Sequence, residues 1–238
     1  MILKTLDNIP QIKRFKNCIK SKIGHIAYLK TDYKCPKKWY GNEYGGFYVN
    51  PTVLNGESIV YSFGIGQDTS FDLDIIKYHN SSIYAFDPTP KSIAWVKNQI
   101  FPNNFHFEEI GIGKSSGQAT LNLPKDKENI SGSLYSHQFV DCSNTVQIQL
   151  ETLQSITNRL QHSYIDVLKM DIEGAEYDIM DNILDTGIGI KQILLEIHER
   201  FFEDGKQKTE MLLQKLRKKG YKLFAISDSY QELSFIKI

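Results

Sequence analysis

From residue 58 onwards, apolar side chains recur with two alternating spacings, one typical of strands and one typical of helices. The segments 58–63 and 82–86 are short, apolar runs that predict strands, and 68–79 and 89–101 predict helices. The same alternation returns after residue 150, as helix 151–160, strand 164–170, helix 175–184, strand 190–197 and helix 206–219. Strands that alternate with helices over short connections predict an α/β fold, with a mostly parallel sheet and helices on both faces.

Three further parts of the chain follow other patterns. The segments 118–123 and 145–150 alternate apolar and polar residues, which predicts half-exposed strands. The polar segment 124–144 lies between them, and a loop of this length inside a domain is usually functional or mobile. At the end of the chain, 221–226 and 232–238 flank a short polar turn, so we expect an antiparallel hairpin.

The N-terminal part differs in composition from the rest. Residues 1–30 carry apolar positions at helical spacing, and 37–50 are rich in aromatic residues and glycine. We therefore divide the chain into an N-terminal cap segment, 1–50, and one α/β domain, 51–238. The aromatic residues of the cap segment are either packed on the sheet, which we favour, or a cover over a ligand; they are Trp39, Tyr40, Tyr44 and Phe47.

Composition and charge narrow the class of partner. Lys plus Arg and Asp plus Glu both number 28, so the formal net charge is zero, and we expect neither nucleic acid nor an anionic membrane as partner. No run of about 18 apolar residues occurs, which predicts no membrane span. The three widely spaced cysteines match neither a metal motif nor a disulfide framework. A cytoplasmic location is the expectation that fits this usage.

A glycine turn after the first strand of the alternation predicts a nucleotide site. Gly64 and Gly66 stand between the strand 58–63 and a helix, where glycines permit positive φ and close backbone approach. Asp87 ends the next strand, near the spacing of about 20 residues expected for a ribose-binding carboxylate. Asp68 follows the turn in place of a third glycine, and its charge would repel a pyrophosphate. These features favour S-adenosylmethionine over NAD. A second Gly-x-Gly, at 111–113, precedes a strand pattern and predicts a plain turn.

Charged residues cluster at the ends of two later strands. Lys169, Asp171 and Glu173 share one face of the strand 164–170 and its exit, and Glu196 and His198 share one face of the next strand. If these strands pair, they lie about 4.8 Å apart, which is close enough for all five side chains to meet. We favour His198 as a general base oriented by Asp171 or Glu196. The alternatives are a divalent metal, Mg²⁺ or Mn²⁺, on the carboxylates and His198, or a structural ion-pair network that includes Lys169.

The order of these motifs resembles the FkbM-type family of class I methyltransferases that use S-adenosylmethionine. VLKMDIEGAEYDIM (167–180) is similar to the most diagnostic motif of the family, and AFDPTP (85–90) to its acidic segment. EEIGIGKSSGQATLNL and LLEIHERF fall where the family has comparable stretches, and VYSFGIGQDTSFD resembles a methyltransferase-like subgroup with an SFGIG cofactor loop. The resemblance covers about residues 40–238.

The resemblance implies a Rossmann-like, seven-stranded sheet with the cofactor at the carboxyl ends of its first strands. Ser62 stands where such enzymes often have an acidic residue. Asp171 would lie near the transferable methyl group. Cofactor-binding residues would be Ser62, Phe63, Gly64, Gly66, Asp68, Asp87, Pro88, Glu109, Ile110 and Asp171, and catalytic candidates are Lys169, Asp171, Glu173, Glu196 and His198.

The function implied is methyl transfer to the oxygen of a hydroxyl group, in a sugar, a glycan or a secondary metabolite. The expected partner is therefore a small-molecule or carbohydrate acceptor. Two alternatives belong to other classes: a catalytically silent nucleotide-binding module, and an NAD-dependent oxidoreductase. The missing third glycine and the absence of a Tyr-x-x-x-Lys motif count against the oxidoreductase.

Overall fold

The computed structural model describes residues 10–126 and 128–238. Seven of its strands form one central sheet: β3 (Ile59–Phe63), β4 (Ser82–Phe86), β5 (Phe105–Glu108), β9 (Tyr164–Met170), β10 (Gly189–Glu196), β11 (Tyr221–Ile226) and β12 (Glu232–Lys237). The helices are α1 (Pro10–Lys22), α2 (Ser70–His79), α3 (Pro90–Val96), α4 (Leu153–Leu160), α5 (Glu176–Asp185) and α6 (Gly205–Lys218). Two small sheets contain β1 (Lys38–Tyr40) with β2 (Phe47–Val49), and β6 (Gly111–Ile112) with β7 (Gly117–Pro124) and β8 (Val140–Glu151).

The central sheet has the strand order β5-β4-β3-β9-β10-β12-β11. Its first five strands pair in parallel, and β12 is inserted between β10 and β11, antiparallel to both. From β3 the chain first adds strands on one side, β4 and β5, and later adds β9 and β10 on the other side. The carboxyl ends of β3 and β9 are therefore the switch point of the sheet. The predicted Rossmann-like α/β fold, with its mostly parallel seven-stranded sheet and its C-terminal hairpin, is confirmed.

Both faces of the sheet are buried because the strand residues alternate between two cores. Leu168 and Met170 of β9 lie in the larger core, together with α4, α5 and α6. Val167 of β9 points the other way, into a second core that includes Val60 and Ile75. Strands covered on both faces read as continuous apolar runs, which is why the β9 segment is so apolar.

The N-terminal part contributes to the second core. Phe47 and Val49 of β2 are buried there beside Val60. The boundary predicted at residue 50 stays a prediction, although these residues share a core with the strands that follow it. The predicted N-terminal helix ends at Lys22, and its first nine predicted positions lie outside the described residues. Phe15 is exposed, so this helix does not bury its apolar positions as a continuous stripe.

Two predicted boundaries were wrong. Helix α3 ends at Val96 instead of continuing to residue 101, and Ile100 is fully exposed at 100%. The side chain of Asn98 accounts for the early end, because it bonds back to the Ala94 carbonyl. The predicted loop 124–144 is shorter than expected, because β8 already begins at Val140.

The remainder of that loop is held against β7. The backbone of Ser133 exchanges two hydrogen bonds with Asn122, at 2.9 and 3.0 Å. In the described part of the chain, no helix is both long enough and apolar enough to cross a membrane. The cysteines are free, and the cytoplasmic location stays a prediction.

Candidate active site

One cavity opens at the carboxyl ends of the central strands. Its volume is about 380 Å³, within the range of cofactor sites. Its walls come from the turn after β3, the segment after β4, the start of β6, the loop 130–134 and the segment after β9. The crevice at the switch point of an open α/β sheet is where such folds bind ligands.

The glycine turn after β3 is pressed against the turn after β9. Gly64 has φ +74°, and a Cβ added to it would lie 1.7 Å from the carbonyl oxygen of Asp171. The Asp171 N–H donates to the Phe63 carbonyl at 3.1 Å, and the Gly64 N–H donates to Phe86 at 2.9 Å. Only glycine fits this position, for reasons of both conformation and space. The contact brings the predicted cofactor turn and the predicted acidic turn into one wall of the cavity.

Asp87 closes the same turn from the neighbouring strand. Its Oδ2 accepts the N–H of Gly66 at 2.8 Å, and its Oδ1 accepts the N–H and the hydroxyl of Thr89 at 2.8 and 2.7 Å. Burial raises the pKa of Asp87, and these hydrogen bonds oppose the rise. A carboxylate oxygen has two lone pairs, so Oδ2 can accept one more hydrogen bond from a ligand. Asp87 and Pro88 both line the cavity, as do Phe63, Gly64 and Gly66.

Asp68 fixes the cap segment over the cavity. Its Oδ2 accepts the side-chain amide of Asn42 at 2.7 Å, and its Oδ1 accepts the N–H of Ser70 at 2.8 Å. Tyr44 lies in the loop that Asn42 anchors, and it lines the cavity. The aromatic residues of the cap segment thus divide: Tyr40 and Phe47 are buried in the second core, whereas Tyr44 faces the site.

Two buried charges lie beneath the glycine turn. Lys169 is buried and donates to the Gly64 carbonyl at 3.2 Å, with its Nζ 5.6 Å from the Phe47 ring centre. It forms no ion pair with another described residue, so the alternative of an ion-pair network with Asp171 or Glu173 is not found among the described residues. Asp72, which the sequence analysis missed, is 1% exposed, and burial raises its pKa to about 6 although the charge of Lys169 opposes the rise.

Three of the predicted cofactor residues lie outside the cavity wall. Ser62 is fully buried below the turn, on the strand register that pairs it with Lys169. Glu109 forms an ion pair with Lys97 at 2.7 Å on the surface, and Ile110 packs against the core. Gly111 lines the cavity in their place, because the second Gly-x-Gly forms the short strand β6 beside β8. The prediction of a plain turn there was wrong, since the partner strand is distant in sequence.

Five residues form what we call the acid–histidine cluster: Asp171, Glu173, Glu176, Glu196 and His198. The parallel pairing of β9 with β10 brings them together, as the sequence predicts for all but Glu176. Glu176 begins α5 and is fully buried. Helical spacing does not predict that Glu176 is functional, because the position lies on the apolar face of its helix. Its place in the EGAE stretch is the one feature of the sequence that points to it.

His198 lies at the centre of the cluster and is 0% exposed. Its Nδ1 is 3.0 Å from Glu176 Oε1, which also accepts the backbone N–H of His198 at 3.0 Å. Its Nε2 lies 3.3 Å from Glu173, 3.6 Å from Asp171 and 3.7 Å from Glu196.

The cluster controls the protonation of its members. Burial by itself lowers the pKa of His198, but the charges of Glu176 and Glu173 outweigh it and raise the pKa well above its usual range. A histidine that is already protonated cannot accept a proton, so this geometry argues against His198 as the general base. Burial and the charge of Asp171 raise the pKa of Glu196, and burial raises that of Asp171 to about 6. Burial by itself raises the pKa of Glu173, but contact with His198 lowers it, and the net shift of the pKa is downward.

Glu173 has an unusual backbone conformation. Its φ is +52°, in the left-handed region that side chains other than glycine rarely adopt. Its carbonyl accepts the hydroxyl of the buried Ser133 at 2.7 Å, which ties the loop 130–134 to the turn after β9. Such strain persists where the surrounding structure imposes it, and it concentrates at functional sites. Glu173 also lines the cavity.

Several known proteins are similar to this chain. Residues 47–223 match the family described as "Methyltransferase FkbM domain". A human protein, "Probable methyltransferase-like protein 24", is 26% identical over 193 residues, covering 76% of this chain and 45% of the relative. The rat protein of the same name is 35% identical over 186 residues, covering 74% of this chain and 44% of the relative. The chain thus spans a little under half the length of these curated relatives.

Among solved structures, a putative rRNA-methylase from Clostridium thermocellum is 9% identical with a TM-score of 0.46, covering 78% of this chain and 88% of that one. Aeropyrum pernix fibrillarin in complex with natively bound S-adenosyl-L-methionine is 10% identical with a TM-score of 0.43, covering 90% and 86%. The family assignment rests on the sequence match, which includes the glycine turn, Asp87 and the whole acid–histidine cluster. It confirms the resemblance that the motifs predict, with S-adenosylmethionine as the expected cofactor. The chain belongs to the FkbM methyltransferase domain family.

Proposed function

We propose that this chain transfers the methyl group of S-adenosylmethionine to the oxygen of a hydroxyl group, in a sugar, a glycan or a secondary metabolite. The observation that carries the proposal is a single cavity in which the glycine turn touches the acidic turn after β9. Methyl transfer to a hydroxyl group gains from that contact, because the contact holds the methyl donor, the attacking oxygen and a group that accepts the proton in one place.

The residues of the cavity fit this cofactor. The turn at Gly64 and Gly66 leaves room for the methionine part, and Oδ2 of Asp87 has a lone pair for a ribose hydroxyl. Pro88 and Ile112 give the wall beside them an apolar surface that suits a purine ring. Asp68 and Tyr44 would close the methionine end.

Electrostatics favour S-adenosylmethionine over a dinucleotide. Asp68 and Asp171 line the cavity close to the glycine turn, where they would repel a pyrophosphate. The same carboxylates would attract a cofactor that carries a sulfonium and an ammonium group. Lys169, the buried cation below the turn, already donates to the Gly64 carbonyl, so we assign it the positioning of the turn.

The chemistry needs alignment and one proton acceptor. Bound S-adenosylmethionine supplies a methyl group on a positively charged sulfur, which becomes a neutral thioether when the acceptor oxygen takes the methyl carbon. Glu173 lines the cavity together with Asp171, and its carboxylate lies 3.3 Å from Nε2 of His198. We assign Glu173 the acceptance of the hydroxyl proton as the oxygen–carbon bond forms.

The surface beside the cluster supports this class of acceptor. His137 stacks on Phe201 with ring centres 3.9 Å apart, and Phe139 lies 5.7 Å from Phe201 and is largely exposed. Phe201 lies 4.8 Å from His198 and so borders the cluster. An aromatic surface next to carboxylates suits a ring that carries hydroxyl groups, such as a sugar. The zero net charge supports a small or carbohydrate acceptor over nucleic acid.

Titration calorimetry tests the cofactor. S-adenosylhomocysteine should bind once per chain and release heat, whereas NAD⁺ should release none; the reverse result would refute the proposal.

Transfer of a labelled methyl group tests the chemistry, with glycosides, oligosaccharides and an RNA fragment as acceptors. We expect label on the sugars. Glu173→Gln should keep the affinity for S-adenosylhomocysteine but lower transfer by roughly 100-fold or more. The exposed Glu210→Gln, on α6, is the matched control. Binding without transfer to any acceptor would instead support a catalytically silent module, and label on RNA would overturn the acceptor class.

A further inference from the structure

One nitrogen atom at the centre of the acid–histidine cluster has no hydrogen-bond partner. Nδ1 of His198 is engaged by Glu176, but the buried Nε2 makes no well-aligned hydrogen bond with a described residue, and its nearest oxygen is Oε2 of Glu173 at 3.3 Å. Oδ1 of Asp171 is also buried and accepts no hydrogen bond from a described residue. His198 is fully buried, whereas the side chains of Asp171 and Glu196 are partly exposed. Unpaired buried polar atoms are rare, and each needs a physical explanation, such as a catalytic role or a site for an ion.

The surroundings of Nε2 show what kind of partner is missing. Three carboxylates face it, from Glu173, Asp171 and Glu196, at 3.3 to 3.7 Å, which is longer than an aligned hydrogen bond. Ionised carboxylates only accept, so they cannot satisfy one another. The nearest ion pair from outside the cluster is Arg200 to Glu196, at 3.8 Å. The negative charge around Nε2 therefore exceeds what one imidazole ring can balance, even when that ring is protonated.

The arrangement matches the way proteins hold metal ions. A metal-binding histidine almost always directs its second ring nitrogen to a carboxylate or carbonyl, as Nδ1 of His198 does to Glu176. The ligand atoms of Asp171, Glu196 and His198 lie within 4.8 Å of one another. Ligands at about 2.1 Å from a metal are roughly 3 Å apart, so a small contraction completes the site. We propose that Asp171, Glu196 and His198 bind one divalent cation of the Mg²⁺ or Mn²⁺ class.

Two oxygen ligands with one imidazole favour manganese or magnesium over softer metals, which prefer thiolates. Binding displaces any proton on Nε2 to solvent, because metal ligands must be deprotonated. Asp171 lines the cavity, so the cation lies at the acceptor side of it. There it would hold the acceptor hydroxyl and ease the loss of its proton to Glu173. This catalytic role of the cation deepens the proposed function and rests on it. The binding of the cation itself does not depend on the proposed function.

Manganese itself is the probe. In calorimetry with MnCl₂, the full chain should bind one Mn²⁺, in competition with Mg²⁺. Asp171→Asn and Glu196→Gln should each weaken binding roughly tenfold or more, whereas Glu210→Gln, the exposed control on α6, should not change it. Unchanged affinity in both cluster variants, or no saturable binding below millimolar Mn²⁺, would overturn the site.

A spectroscopic signature avoids dependence on variants that fail to fold. Pulsed electron paramagnetic resonance of the Mn²⁺-loaded wild-type protein should show coupling to one imidazole nitrogen, from His198. Binding without that coupling would refute His198 as a ligand. Titration with S-adenosylhomocysteine separates the two proposals: if it binds and Mn²⁺ does not, the metal site fails and the methyl transfer stands.

Discussion

Asp72 should cost this protein stability at neutral pH. Among the described residues, neither of its carboxylate oxygens accepts a hydrogen bond, and the side chain is almost completely buried. Burial raises its pKa from 3.8 to about 6 despite the nearby charge of Lys169. Since one pKa unit is worth about 1.4 kcal/mol, the ionised form destabilises the folded state by about 3 kcal/mol relative to the protonated form.

The substitution Asp72→Asn imitates the protonated form without changing its shape. The folded-state pKa lies above the unfolded-state value, so the stabilisation of the protonated form is complete below about pH 4 and is lost as the pH rises through 6. We therefore expect the variant to be more stable than the wild type by about 3 kcal/mol at pH 8, and nearly equal to it at pH 4. For a chain of this length the gain at pH 8 corresponds to roughly 6–12 °C in Tm.

Urea unfolding of both proteins at pH 4, 6 and 8 measures this difference directly. Asp185→Asn is the matched control, because Asp185 is an exposed carboxylate paired with Lys219, and its effect should stay within about 0.5 kcal/mol at every pH. A wild type that is as stable as Asp72→Asn at pH 8, or more stable, would refute the reasoning. It would show that Lys169 at least compensates for the burial of Asp72.

Three other substitutions test single contacts. Gly64→Ala should abolish binding of S-adenosylhomocysteine in calorimetry, because its Cβ would overlap the Asp171 carbonyl; normal affinity would show that the turn can move. Asp87→Ala should weaken the same binding by about 1–3 kcal/mol, and an unchanged Kd would place the ribose elsewhere. Glu176→Ala should lower the free energy of unfolding in urea by about 3–5 kcal/mol, because it strands the buried His198; a loss below about 1 kcal/mol would contradict the pairing.

Much of the fold follows from local pattern. The strand predicted over 164–170 has these bounds in the structure, because its apolar run is covered on both faces and the turn residues after it are explicit. The glycine turn could be predicted equally well, because a strand, Gly64, Gly66 and a helix follow one another along the chain. Helix α3 was predicted too long, because its end depends on a side chain that bonds backwards, which apolar spacing does not encode.

Local patterns in the chain were enough to predict the strands of the sheet, the cofactor turn and the charged residues at the strand ends. How those charges are used depends on contacts between elements that are distant in sequence. Glu176 meets His198 across 22 positions, and Asp72 lies beside Lys169, because separate strands and helices pack face to face. Periodicity records which face of its own element a residue occupies. It does not record which side chain of another element packs against that face. The protonation and the ligand-binding capacity of a buried group depend on that neighbour.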